Sequence, residues 1–334
     1  MVKRTLLVVV ALLFLVLPTA AQSASSVIIY ETTDHATFAL NLNAAAETIK
    51  LVTIRHNADV LDVIQNGDTL TFISLERAEA GIQHIFIDQL DIPTMKTTNV
   101  LAETWRLFIF EPSIEQPHDV EAAFVPGTSR VALLYSVIRG DEQMRILADW
   151  NWSTEVTSYI QVDEEFDNCR ALDVAGEKAL LSCESSPQMI VMVDLATQRL
   201  NQISPAGSVD AYAPWWCAPE VPCWLSELNV LNAKNLVTGL WLDTTFEPLL
   251  YEDGQGNRLV SVGETESTIV EVTVDEDMSI VSFPIPIGYF QSPIATDSGI
   301  YYIADNDINF FLYKGENPRF IAGFASRILG VYVR

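Results

Sequence analysis

Beyond its first two dozen residues the chain is a succession of short apolar or alternating runs, rich in Val, Ile, Leu, Thr and aromatic residues. Turn formers separate the runs, and helical periodicity is scarce. This pattern predicts strands. One unit recurs: an apolar strand, a turn marked by Asp or Asn, then a second strand. It reads as FALNLNAAAETIKLVT, HIFIDQLDIPTMKTTNVL, RILADWNWSTEVTSYIQV and VMVDLATQRLNQIS, then as GLWLDTTFEPLLYED, VEVTVDEDMSIVSFPI and FFLYKGENPRFIAGFA. A second strand pair around a tight turn precedes most of these units, as in DVIQNGDTLTFISLE, AAFVPGTSRVALLYSV, ALDVAGEKALLSCES and PIATDSGIYYIAD. Gly67, Gly127, Gly176, Gly256 and Gly299 mark that turn, and a hairpin centred on Glu220 supplies the missing one.

Four strands recurring about every 45 residues are the sequence signature of a β-propeller. The ends favour a closed ring. The first repeat begins directly at VIIYETTDHATFALNL and lacks a leading strand, while a spare strand, RILGVYVR, follows the last hairpin. That strand can complete blade one in a three-plus-one closure and remove an open edge. The expected fold is therefore all-β, a seven-bladed propeller of four-stranded blades. Six blades is the alternative if the segment AETWRLFIFEPSIEQPHD is read differently.

The amino terminus lies outside this repeat. Lys3 and Arg4 precede the apolar run LLVVVALLFLVL, followed by Pro18 and the small residues of TAAQSAS. A basic start, a short apolar core and a small-residue exit predict a secretory signal peptide over residues 1–21, leaving 22–334 as one propeller domain. The run is shorter than the roughly 20 residues that span a bilayer. A secreted, periplasmic or cell-surface monomer, not inserted in the membrane after cleavage, is the expectation.

Loss of Lys3 and Arg4 takes the formal charge from −25 to −27. So acidic a chain repels phosphate backbones, which argues against nucleic acid as a partner. In an oxidising compartment the four cysteines should pair. Cys169 and Cys183 are symmetric about Gly176, and Cys217 and Cys223 about Glu220. Two local bridges, Cys169–Cys183 and Cys217–Cys223, are the simplest of three connectivities. A zinc site is the competing reading, but the paired CxxC knuckles of a four-cysteine site are absent.

The pattern VMVDLATQRLNQIS, preceded by a Gly-turn strand pair, resembles the TolB-like family of extracytoplasmic propeller repeats. In that family a Ser-Pro-Asp-Gly turn precedes an Asp-Leu-x-Thr-Gly turn. Here the first is reduced to VPGTS, DVAGE or ATDSG, and the second survives best at Asp194 to Thr197. The resemblance is of the WD-repeat-like kind, although the Gly-His and Trp-Asp signatures themselves are missing. It implies a scaffold and carries over no catalytic residue.

Motifs of chemistry are sparse. Histidines stand at 35, 56, 84 and 118 without an HExxH or HxH pair, so no metal-ligand set is expected and no cofactor is called for. No GxSxG elbow or Gly-rich phosphate loop occurs. The acidic stretches DEEFDN, with Asp163 and Glu165, and ADNDIN, with Asp305 and Asp307, are candidate ligand or calcium contacts, yet neither has the spaced oxygens and Gly of an EF-hand loop.

The densest feature is YAPWWCAPEVPCW, Tyr212 to Trp224. On a symmetric register Trp216 faces Trp224 beside the bridge, which stabilises a hairpin. Alternation sends Trp215 to the other face. At the channel mouth Asp210, Tyr212 and Trp215 could meet Tyr289, with Trp105 joining from another blade. Rings beside carboxylates suit peptide or sugar recognition. The leading reading is a non-catalytic scaffold that binds a protein or peptide. The alternative is a carbohydrate-binding protein or a carbohydrate-active glycosidase or lyase, using acids at the channel mouth.

Overall fold

The computed structural model describes residues 26–43, 48–76, 84–104, 117–139, 141–162, 166, 168–184, 187–205, 210–227, 230–245, 251–274, 278–313 and 317–333. They form 28 strands and no helix, arranged as seven four-stranded antiparallel sheets. Blade one holds β1 (Ser26–Thr32), β2 (Ala36–Asn43) and β3 (Thr48–His56). Blade two holds β4 (Ala58–Asn66), β5 (Thr69–Glu76), β6 (His84–Asp91) and β7 (Lys96–Thr104). Blade three is β8 (His118–Val125), β9 (Arg130–Arg139), β10 (Glu142–Asn151) and β11 (Val156–Gln161). Blade four is β12 (Cys169–Ala175), β13 (Lys178–Cys183), β14 (Met189–Asp194) and β15 (Arg199–Gln202). Blade five is β16 (Ala211–Ala218), β17 (Val221–Ser226), β18 (Val230–Lys234) and β19 (Trp241–Thr245). Blade six is β20 (Tyr251–Gln255), β21 (Arg258–Val262), β22 (Ser267–Val274) and β23 (Met278–Ile285). Blade seven is β24 (Gln291–Ala295), β25 (Gly299–Ala304), β26 (Asp307–Leu312) and β27 (Arg319–Ala322), after which β28 (Ala325–Val333) returns to blade one.

The ring closes as its ends predict. β28 is the innermost strand of blade one and pairs with β1, Val27 opposite Tyr332 and Tyr30 opposite Ile328. It completes that blade to four strands and covers the edge that β1 would otherwise present.

Each sheet is covered on both faces by its neighbours, and seven apolar clusters fill the seven seams. Ile73, Ile87, Leu133 and Trp150 pack between blades two and three, for example, and Val260, Ile269, Ile300 and Phe311 between six and seven. A strand buried on both faces needs no polar side. This is why the second strands read as unbroken apolar runs, and why β5, β13, β17 and β25 are buried almost end to end. Outer strands such as β15 and β27 carry mostly polar or exposed positions. Ion pairs join blades further out: Arg55 grips both oxygens of Asp88 at 2.7 Å and lies 3.7 Å over the Phe86 ring.

Both expected disulfides form. Cys169 lies directly opposite Cys183, and Gly176 takes the left-handed turn between them at φ +56°. At the second hairpin Glu220 adopts φ +61°, but the register departs from symmetry. Trp216 faces Pro222, not Trp224, because the turn is the two residues Pro219 and Glu220 and Cys217 is an extra residue in the ladder. Trp224 instead meets Trp241 edge-on at 5.2 Å. Gly299 also differs from expectation. It is not at positive φ and serves close packing, since a Cβ there would sit 2.2 Å from the Phe311 carbonyl oxygen.

Candidate functional site at the channel mouth

Strand beginnings on the innermost strands, the links between blades and the turns between second and third strands all belong to one face of the ring. On that face the innermost ladders are irregular. Six of the seven carry a register shift, the exception being β20 with β21. Asp119, Ala171, Ala213 and Ser292 take left-handed backbone at these shifts. An extra residue in one strand bends it and re-aims the side chains beside it.

Three of these bulges build a cavity of about 520 Å³. Leu61 of β4, Val120 of β8 and Leu172 of β12 are bulge residues, and all three line it. Its polar groups are Glu31, His35, Asp59, Glu121 and Arg327. The cavity therefore lies where the innermost strands of blades one to four converge at the channel mouth.

Each bulge is followed by an acid that stitches its blade to the next. Asp62 accepts the Phe124 N–H at 2.7 Å, Glu121 the Leu172 N–H at 2.8 Å, and Asp173 the Trp216 N–H at 2.7 Å. Asp62 and Asp173 also take the N–H of their own next residue. Burial pushes the Asp62 carboxyl up to about 6, against those two N–H bonds, and the like charge of Asp173 adds to the rise. Burial raises Asp173 too. Glu121 has a further partner in buried Arg145, whose guanidinium also donates to Ser136, to the Asp119 carbonyl and to the Cys169 carbonyl. These acids hold the wall of the channel.

Glu31, His35 and Asp59 stand apart from that stitching. The tight turn after β1 takes His35 at φ +54° and returns its ring beside Glu31. His35 Nδ1 lies 3.0 Å from Glu31 Oε1 and 3.4 Å from Asp59 Oδ1, so the imidazole bridges blades one and two. Donor atoms of all three fall within 4.8 Å of one another. Sequence reasoning searched for closely spaced histidines and missed this set, because Asp59 joins only when blade two docks.

The residues expected at the mouth are distributed as follows. Asp210 accepts the Gln188 N–H at 2.6 Å and tethers blade five to blade four. Trp215 is 6% exposed, lies against Gly254 and donates its indole N–H to the Gly256 carbonyl at 2.9 Å; it fills the seam between blades five and six. Tyr212 packs at the edge of the same cluster. Tyr289, in the link between blades six and seven, is 66% exposed. Asp305 begins a two-residue turn with Asn306, both at positive φ, and Asp307 follows at the start of β26. That turn touches the link into β28, where the Ala325 N–H donates to the Asn306 carbonyl. Trp105, Asp163 and Glu165 lie outside the described residues.

Phe324, in that same link, was not anticipated. It is 86% exposed and held at φ +66°, while Tyr289 is held at φ +52°. Left-handed backbone is uncommon for a bulky side chain and costs about 1–3 kcal/mol. Two large rings are thus presented to solvent from strained positions on the face that carries the cavity.

No protein-family model matches the sequence, and comparison with curated proteins gives no match. Solved structures do match. Apo AztD from Citrobacter koseri superposes with a TM-score of 0.54 at 9% identity, over 93% of this chain and 98% of that one. A candidate 6-phosphogluconolactonase from Bacteroides uniformis gives 0.57 at 10%, over 94% and 100%. An oligogalacturonate lyase in complex with manganese gives 0.53 at 9%, over 92% and 95%. At such identity the likeness is one of fold: the chain is similar in architecture to other β-propellers along nearly its whole length.

Proposed function

We propose that this protein is an exported, non-catalytic propeller that binds a protein or peptide on the face bearing the channel mouth. The observation that carries the reading is the pair of exposed aromatic rings, Tyr289 and Phe324, set at strained backbone positions on that face. Burying such rings against a partner recovers apolar area at about 25 cal/mol per Å², which solvent exposure forgoes. Asp305 lies in the turn that touches the link carrying Phe324, and the chain is strongly acidic, so a peptide with basic or amino-terminal groups is the complementary ligand. Two disulfides, with no helix among the described residues long and apolar enough to cross a membrane, accord with export. The resemblance of VMVDLATQRLNQIS to the TolB-like repeats is compatible with an envelope role, and fold alone does not decide between binding and catalysis.

A second reading, carbohydrate-active enzyme, is favoured by Glu31, Asp59 and Glu121 lining a single cavity. Against it, both oxygens of Glu121 are engaged within the wall. One experiment separates the two. A peptide array is probed with the purified protein and with a Tyr289→Ala/Phe324→Ala variant, and both are assayed on oligosaccharides. Binding that falls at least tenfold in the variant, without sugar cleavage, supports the scaffold. Sugar cleavage abolished by Asp59→Asn, or peptide binding indifferent to the two rings, overturns it.

A further inference from the structure

We propose that Glu31, His35 and Asp59 form a binding site for a divalent transition-metal ion of zinc-like preference at the channel mouth. The site goes beyond the peptide-binding reading and does not depend on it. Its chemistry is that of the donor set. One imidazole nitrogen with two carboxylates is a combination borderline divalent ions accept, whereas calcium seeks six to eight oxygens. Metal–ligand bonds of about 2.0–2.2 Å in a tetrahedral arrangement place donor atoms roughly 3.3 Å apart. His35 Nδ1 stands 3.4 Å from Asp59 and 3.0 Å, hydrogen-bond distance, from Glu31, so an ion replacing that proton requires shifts of only a few tenths of an ångström at the imidazole.

Two further observations point the same way. The donors face a cavity of about 520 Å³, so an ion held by three protein atoms keeps open positions for water or an exchangeable ligand, as ligand-binding zinc sites do. Arg327, directly across from Glu31 in the β1–β28 ladder, lines the same cavity and would orient an anionic group bound there. Beneath the site, Thr37 is fully buried and its hydroxyl has no hydrogen-bond partner. Thr37 lies directly across from Glu31 in the β1–β2 ladder, so the two side chains share one face of the sheet. An unmatched buried hydroxyl is costly, and Thr37 Oγ1, which does not bond the Glu31 carboxylate here, is a spare donor on the sheet face that carries that ligand.

The test uses the purified chain after chelation and dialysis, titrated with Zn²⁺ by calorimetry and with Mn²⁺ by electron paramagnetic resonance. One ion per chain is expected, with a micromolar or tighter Kd for Zn²⁺. His35→Ala and Asp59→Asn should each weaken binding at least tenfold, and Zn²⁺ should raise the melting temperature of the parent but not of either variant. His35 is half-exposed, so its variant should melt like the metal-free parent; Asp59→Asn gives an isosteric second variant should it not. No binding, or binding of several ions that both variants leave intact, overturns the site and assigns the uptake to diffuse attraction by the acidic surface. The peptide array, run in chelator, reports on the aromatic face separately.

Discussion

Asp62 gives the sharpest test of how the channel wall is held. Its carboxylate is enclosed between blades two and three, and its two oxygens accept the Val63 and Phe124 N–H groups. Burial outweighs those bonds and lifts its pKa from 3.8 to about 6. The folded protein therefore holds this proton more tightly than the unfolded chain does. Between those two values the native state binds more protons, so stability falls as pH rises through the window and is regained on acidification. Full ionisation costs about 3 kcal/mol at ~1.36 kcal/mol per pH unit. Between about pH 7.5 and about pH 5 the part regained is about 1.4 kcal/mol.

Asp62→Asn isolates this contribution. Its amide can accept only one of the two N–H groups, an expected loss of about 1–3 kcal/mol that does not vary with pH. Urea unfolding of both proteins, followed by tryptophan emission, gives the parent-minus-variant difference at each pH. That difference should widen by about 1.4 kcal/mol on acidification from ~7.5 to ~5. Asp173, raised in the same direction by burial, is common to both proteins and cancels apart from its like-charge coupling to Asp62, the smallest of the causes at that carboxyl. A difference that stays constant with pH, or narrows on acidification, refutes the claim that desolvation dominates at this carboxyl.

Two further predictions concern the seams. Gly254→Ala should destabilise the protein by about 1–3 kcal/mol, because the new Cβ would lie 2.7 Å from the indole of buried Trp215; an unchanged urea midpoint would show that the seam between blades five and six can open to admit a methyl group. Deleting everything after Phe324 removes the innermost strand of blade one and exposes Val27 and Ile29, now fully buried. The truncated chain should lose cooperative unfolding and bind a hydrophobic dye, and a sharp melt like that of the intact chain would refute the three-plus-one closure as a structural necessity.

What was legible in the sequence follows from where each feature gets its physical cause. The second strands announce themselves because both faces are covered, so VALLY and GIYYIA are apolar throughout whatever the partner blade contributes. The closure was legible because a missing first strand and a surplus last one are both local facts. Cys169 and Cys183 meet as their spacing predicts because two departures cancel: the turn is the two residues Gly176 and Glu177, and the extra residue between Arg170 and Asp173 restores the register symmetric about Gly176. At the second hairpin the turn offset and the extra residue Cys217 add instead of cancelling, and the same reasoning misplaced Trp216 against Trp224.

Bulges are hard to read because an extra residue within an apolar run is simply one more apolar residue. Leu61, Val120 and Leu172 look like core, yet they line the cavity. A signal was nevertheless present. The pairs Leu61–Asp62, Val120–Glu121 and Leu172–Asp173 recur at the start of successive inner strands, each ahead of its turn glycine. A strand due to be buried on both sides has no use for an acid unless a neighbouring backbone supplies donors. A repeated apolar–acid step at this position therefore marks both a bulge and an inter-blade hydrogen bond. Among the described residues the Glu31–His35–Asp59 cluster has no counterpart in the other blades, so no repeat could reveal it. Glu31 and His35 are brought together by one turn, but Asp59 completes the set only through the docking of a second blade. The scaffold of this protein is written in its periodicity; its candidate chemistry lies where that periodicity is interrupted.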